Sequence, residues 1–326
     1  MPGAGRRVDG RPSQSGTFIL DRNTDFALDA YDTKGQGILR TRVPKGTYLL
    51  ETPVQTRKGT QADPDTRKGV TWGFSAGQHQ PGSGDDSLEV IFNEPTPKAY
   101  QRGKTYTQTF NVGVFSPKIN TYNTARRSGN DLSFCIAEYT DGAGNIGLST
   151  VTKQQTRVTA DGKELLNSEE GLCQDVYGLP SKSAAYRIST DATRSTKVAG
   201  VTTRLTAAWT FRSKKTPADN YTVLPLSSVR FAPKLDLHSR AAAGKKLTVP
   251  LTLQGPAAKS FKSLSVQVSY NGGKTWSKAP VLTNMSKRTL SLSHPTKATS
   301  VSLKAKLTDR QGNTYQVTIV KAYLLK

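Results

Sequence analysis

The clearest periodicity in the chain lies near its end. Val301, Leu303, Ala305 and Leu307 alternate with Ser302, Lys304, Lys306 and Thr308, and after Asp309-Arg310-Gln311-Gly312-Asn313 the alternation resumes with Tyr315, Val317 and Ile319 against Gln316 and Thr318. A period of two sends one set of side chains to a core and the other to water. Asp, Gly and Asn tolerate left-handed backbone angles, so the segment predicts two antiparallel strands joined by a hairpin. Leu264, Val266, Val268 and Tyr270 repeat the pattern and stop at Asn271-Gly272-Gly273. Long segments with a helical period are missing, while Thr, Ser, Gly and Val are abundant. The pattern therefore predicts an all-β chain of consecutive antiparallel β-sandwich domains of immunoglobulin or fibronectin type.

The remaining segments predict strands in the same way. Phe18-Ile19-Leu20, Phe26-Ala27-Leu28 and Arg40 to Leu50 open a first β region, with Pro44 and Gly46 turning the chain and Tyr48 pointing inward. Val70, Trp72 and Phe74 form a strand inside the polar stretch of residues 55–86. Leu132 to Tyr139, Ala184 to Ile188 and Val201 to Phe211 supply further strands. Thr140-Asp141-Gly142-Ala143-Gly144-Asn145 matches Thr308-Asp309-Arg310-Gln311-Gly312-Asn313 at Thr, Asp, Gly and Asn. That local repeat predicts two like sandwiches rather than one continuous sheet. With 326 residues, the division expected is a disordered tail 1–16, sandwiches 17–112 and 113–216, a linker 217–223 and a final sandwich 224–326.

Charge singles out that final domain. The chain carries a formal +22, and residues 224–326 hold 17 Lys and Arg against Asp236 and Asp309 alone. Such a balance permits binding of nucleic acid, teichoic acid or acidic glycan without specificity for any of them, and Lys245, Lys246, Lys304 and Lys306 are the candidate polyanion surface. The bland reading is a solvated face in which lysines discourage edge-to-edge association. No run approaches the length of a membrane span. Residues 1–16 carry no apolar core of a signal peptide, so an exported chain is expected to be a fragment or to have a misplaced start.

Two cysteines, Cys135 and Cys173, suit one disulfide in an oxidising compartment, closing a loop of about 39 residues for on the order of 4 kcal/mol. Neither has a second Cys or a His at zinc-ligand spacing. His79, His238 and His294 lie in polar loops or beside Pro and are expected to be solvated. Asp85-Asp86 and Glu169-Glu170 are adjacent in sequence and single out no glycosidase pair. Asp141, Gly144 and Asn145, with Asp309, Gly312 and Asn313, offer too few oxygens for Ca²⁺ and read as hydrogen-bonded turns. Ser269-Tyr270-Asn271-Gly272-Gly273-Lys274-Thr275-Trp276 resembles the Asp-box hairpin with Asn271 in the place of Asp, and Trp276, like Trp72 and Trp209, is expected in the core. No catalytic residue, metal site or cofactor site emerges.

Several of these segments together resemble a known protein region. Tyr139 to Asn145, Ala208 to Ser213, Leu224 to Phe231, Val268 to Trp276, His294-Pro295, Val301 to Ala305, Thr308-Asp309, Gly312-Asn313 and Lys321-Ala322-Tyr323 look like the non-catalytic C-terminal region of large secreted bacterial subtilisin-like serine peptidases. The resemblance covers residues 125–326 and implies an extracellular chain. The catalytic part does not carry over. Asp32-Thr33 is followed by Lys34, the three histidines precede Gln80, Ser239 and Pro295, and no Gly-Thr is followed by Ser. The expectation is an accessory region that touches a peptidase domain or its protein substrate. The alternative is a free-standing cell-wall or polyanion-binding protein.

Overall fold

The computed structural model describes residues 107–284 and 287–326 continuously and, before them, the strands alone. The first are β1 (Gln14–Phe18), β2 (Asp25–Asp32), β3 (Leu39–Val43), β4 (Tyr48–Leu50), β5 (Trp72–His79), β6 (Leu88–Asn93) and β7 (Thr107–Phe110). Then come β8 (Thr124–Ser128), β9 (Asp131–Cys135), β10 (Ile146–Ser149), β11 (Lys153–Ala160), β12 (Lys163–Ser168), β13 (Cys173–Val176), β14 (Ala184–Thr193), β15 (Arg204–Ser213) and β16 (Thr222–Val223). The basic stretch adds β17 (Ser228–Phe231), β18 (Arg240–Ala241), β19 (Lys246–Gln254), β20 (Phe261–Ser269), β21 (Ser277–Ala279) and β22 (Val281–Asn284). It ends with β23 (Lys287–Ser293), β24 (Ser300–Asp309) and β25 (Thr314–Leu325). Among the described residues the chain is all-β, with its strands in several largely antiparallel sheets. The inward orientation expected of Tyr48 and Trp72, and the order of residues 1–13, lie outside the described residues.

Two compact units form. One comprises residues 1–112 with 143–149, the other 113–142 with 150–326. In the first, β1 lies between β4 and β7, and β10, β6, β5, β2 and β3 make a five-stranded sheet in that order. Ala76, Val90, Phe92 and Phe110 are buried in it. The segment expected in the middle of a 113–216 sandwich thus supplies a strand elsewhere: Ile146 to Ser149 pairs with Asn93 to Val90.

The second unit is organised on one sheet of nine strands, in the order β12-β11-β14-β15-β25-β24-β20-β21 with β18 beside β25. Alternation reaches the core as the sequence pattern requires: Leu303, Ala305, Leu307, Tyr315, Val317 and Ile319 are all buried. Two four-stranded sheets, β13-β9-β8-β16 and β17-β19-β23-β22, complete the two sandwiches. In the first, Arg127 on β8 donates to the Tyr186 hydroxyl on β14 at 3.1 Å. The second is closed by Pro256–Ala258, a short 3-10 turn that buries Ala257.

Here the structure departs from the expectation of separate sheets. β15 pairs with β25 from Arg204↔Val320 to Thr210↔Thr314, so the two sandwiches share one continuous sheet. A ten-residue strand at a sheet border exposes a row of unpaired backbone groups, and pairing removes that liability. The expected linker takes part as well, since Thr222 and Val223 pair with Arg127 and Arg126. A second departure is Ser302, placed outward by alternation but fully buried. The register slips between Val301 and Leu303, and the Ser302 hydroxyl accepts the Lys321 amide at 3.0 Å, as a bulge demands.

Trp209 sits near one end of the shared seam. It is directly opposite Tyr315, the rings lie 5.2 Å apart, and the indole Nε1 donates to the Ser227 carbonyl at 2.9 Å. Trp209→Ala is expected to lower stability by about 3–5 kcal/mol, as for other fully buried aromatics. Trp209→Phe should cost less while leaving the Ser227 carbonyl unsatisfied. Urea unfolding followed by circular dichroism measures both.

Candidate functional site

The turn residues separate into two cases. Asp309, buried at the end of β24, accepts the Asn313 amide on Oδ1 at 2.9 Å and the Asn313 side-chain amide on Oδ2 at 2.8 Å, and Gly312 has φ near +87°. This is the expected hydrogen-bonded hairpin. The matching sequence at Asp141, Gly144 and Asn145 makes no hairpin, because the chain passes there from one unit to the other. The Asp141 carbonyl accepts from Arg230, while Asn145 donates to the Thr109 carbonyl at 2.8 Å. Four shared residue types are too few to dictate the turn when tertiary partners compete for it.

Arg230 deserves description as a buried cation. Its guanidinium also donates to the Ser116 carbonyl, to Ser116 Oγ at 2.8 Å and to the Thr140 carbonyl at 3.0 Å. Burial pulls it down to about 10, with Asp141 opposing, so it stays charged near neutrality. Its contacts tie together the loops at residues 116 and 140. Glu138 is the buried acid. Burial raises it, while hydrogen bonds from Thr190 and Gln154 work the other way.

The Asp-box-like hairpin behaves as a structural turn. Asn271 Oδ1 accepts the Thr275 amide at 2.9 Å, and its Nδ2 donates to Thr275 Oγ1 at 2.8 Å. The amide thus reproduces the acceptor of an aspartate and adds a donor. Trp276 is a correction: it is half-buried rather than in the core, and the Lys304 ammonium lies 4.4 Å above its ring. Trp276 lies just before β21, where the Lys304 ammonium covers its ring.

The four candidate lysines do not meet. Lys304 and Lys306 stand on the outward face of β24, opposite Thr318 and Gln316. Lys245 and Lys246 instead open β19 in the other sheet and line a cleft of about 360 Å³ with Lys234 and Arg240. Asp236 in that cleft is engaged. Burial opposes its charge, but Lys326 at 2.7 Å, the backbone amides of Arg240 and His238, and the Arg240 side chain hold it at about 2. Cys135 and Cys173 form a disulfide across β9 and β13, with Cα atoms 3.9 Å apart. Among the described residues, no group of three or more His, Cys, Asp or Glu has metal-binding geometry.

His294 is the second correction. Expected to be solvated beside Pro295, it is 4% exposed and held between Tyr270, at 3.2 Å from Nδ1, and Tyr323, at 3.3 Å from Nε2. Both rings meet the imidazole edge-on at 5.7 Å. The signal in the sequence was the pair of alternating apolar strands ending in Tyr270 and Tyr323, but which loop closes over them is a tertiary matter.

No family model matches the chain, and no curated protein sequence does. Among solved structures, a chimeric titin Z1Z2 tandem carrying an exogenous fibronectin peptide aligns at 15% identity over 62% of this chain and 92% of its own, with a TM-score of 0.23. Fibronectin(III)-like modules of Clostridium thermocellum CbhA align at 9% identity over 61% of this chain and 88% of theirs, with a TM-score of 0.19. A three-domain immunoglobulin segment of titin covers 97% of both chains at 10% identity and a TM-score of 0.21. At TM-scores this low the alignments carry no argument about this chain, and the subtilisin-like resemblance has no counterpart among them.

Burial lowers His294 below its usual value of 6.5. The unfolded chain therefore takes up the proton first, so stability is fully present above about pH 6.5 and is lost as pH falls toward the folded value. Glu138, raised by burial, acts in the opposite sense. The difference in urea midpoint between wild type and His294→Gln isolates the histidine: it should shrink steadily from pH 7.5 to pH 5 as the wild type loses its advantage.

Proposed function

We propose that the chain is a non-catalytic, extracellular accessory region of a secreted subtilisin-like peptidase, acting through its modules rather than through a reaction centre. The observation that supports this reading is where the resemblance falls. Ala208 to Ser213 lies in β15, Leu224 to Phe231 leads into β17, Val301 to Ala305 opens β24, and Lys321 to Tyr323 lies in β25. Trp209, Leu226, Phe231, Leu303 and Tyr323 among them are buried. The triad contexts of the peptidase are missing from the chain's sequence.

A second reading, polyanion binding by residues 224–326, is favoured by one observation. Both carboxylates of that stretch are engaged, Asp236 with Lys326 and Arg240 and Asp309 within its turn, so neither offsets Lys304 and Lys306 on the outward face. Counterion release makes such binding steeply salt-dependent and indifferent to polymer identity.

Three measurements test these readings. The purified chain is expected to leave casein and fluorogenic peptides intact, and turnover abolished by a serine-reactive phosphonate would contradict the first reading. When added to a catalytic subtilisin-like domain, the chain should bind that domain or its protein substrate and change KM with little effect on kcat. On heparin, Lys304→Glu/Lys306→Glu should elute at lower salt than wild type, and identical elution would remove the second reading.

A further inference from the structure

The imidazole of His294 is enclosed by hydrogen bonds that admit one arrangement of protons. Tyr270, just past β20, places its hydroxyl 3.2 Å from His294 Nδ1 and 3.2 Å from the Ser293 carbonyl. A carbonyl only accepts, so Tyr270 donates to Ser293, and Nδ1 carries the hydrogen that bonds the same hydroxyl oxygen. On the far side of the ring the Tyr323 hydroxyl lies 3.3 Å from Nε2. Tyr323 is fully buried, and among the described residues Nε2 is the acceptor its hydroxyl reaches. The neutral Nδ1–H tautomer therefore satisfies all three donors. The other tautomer strands the Tyr323 hydrogen in a buried site.

A second proton has no place in this network. An imidazolium donates from both nitrogens, so Nε2 ceases to accept and the Tyr323 hydroxyl loses its partner. Counter-charge is missing as well. Residues 224–326 hold two carboxylates, of which Asp236 is engaged by Lys326 and Arg240 and Asp309 by Asn313. The titratable groups that meet the ring are Tyr270 from the end of β20 and Tyr323 from β25, both raised by burial. Lys245, ahead of β19, meets the His294 backbone through its carbonyl at 3.0 Å. Burial thus lowers the histidine with no charge to oppose it.

We propose that His294 is an acid-sensitive latch: neutral, it pins residues 294–299 across the ends of β20 and β25, and once protonated it swings into water with that loop while the shared sheet stays folded. The segment is suited to local opening. It joins β23 to β24, exposes Pro295, Thr296 and Lys297, and is tied to its surroundings by the Lys245 carbonyl on His294 and by the Leu325 amide on the Thr299 carbonyl at 2.9 Å. Opening therefore loosens the last residues of β25. It also frees Lys245, which lines the basic cleft with Lys234, Arg240 and Lys246. The open form takes up its proton near the usual 6.5 and the closed form below it, so the latch is shut above about pH 6.5 and opens progressively as pH falls. This local event is separate from the overall loss of stability and requires neither a peptidase nor a polyanion.

Hydrogen exchange of the full chain at pH 7.5 and pH 5.0, corrected for the intrinsic pH dependence of exchange, provides the test. Peptides covering residues 294–299 and the end of β25 should lose protection about tenfold or more at pH 5.0, while β14 and β15 keep theirs. Proton NMR of the wild type should show His294 titrating below His238, which is exposed and serves as the internal reference. His294→Gln, which retains a donor and an acceptor but does not titrate, should show the same protection of both segments at the two pH values. Unchanged protection in the wild type, or a loss shared equally by β14 and β15, would overturn the proposal. So would a loss that persists in His294→Gln, or a His294 that titrates together with His238.

Discussion

The backbone ladder between β15 and β25 is the constraint on which the larger unit depends. Each of these strands would otherwise border its own sandwich, with a long row of amides and carbonyls facing water or a neighbouring molecule. Seven consecutive cross-strand partners, from Arg204↔Val320 to Thr210↔Thr314, satisfy both rows at once. Once the strands are joined, the inward residues of both sandwiches belong to one pleated surface. Trp209 from the first and Tyr315 from the second then meet as an ordinary cross-strand pair. The stretch between the sandwiches is consequently short and tied down, through β16 on β8 and the Ser227 carbonyl on Trp209.

The buried ionisable groups are spent on architecture: Arg230 gathers carbonyls from two loops, Asp309 closes a hairpin, and His294 fills a gap between two tyrosines. None is paired with a second reactive group in an open cleft. Among the described residues, Lys304 and Lys306 stand on the outward face of β24, and several strongly exposed aromatics border the small sheet β13-β9-β8-β16.

The sequence disclosed most where a local rule was sufficient. Alternation from Val301 to Ile319 depends on burying one face, and those residues are buried. The Asp309 turn was legible because the side chain bonds four residues on within its own loop. What escaped reading was set by distant pairings. Nothing local to Ala208-Trp209-Thr210 announces that its partner is Gln316 to Thr314 rather than a strand of its own sandwich. Nothing local to Ile146 to Ser149 announces that β6 will claim it. His294 looked solvated because Pro295 and Thr296 follow it, although Tyr270 and Tyr323 close around it from elements 24 and 29 residues away.

Native-state hydrogen exchange tests the shared sheet most directly. If the seam makes one cooperative body, amides along β15 and β25 exchange through the same opening, with the highest protection in the chain, and the outer strands β12 and β21 exchange faster. Denaturant should shift β15 and β25 amides in parallel. Exchange of β15 at a distinctly lower opening free energy than β24 and β25, with its own denaturant dependence, would contradict the account and return the two sandwiches to independent domains.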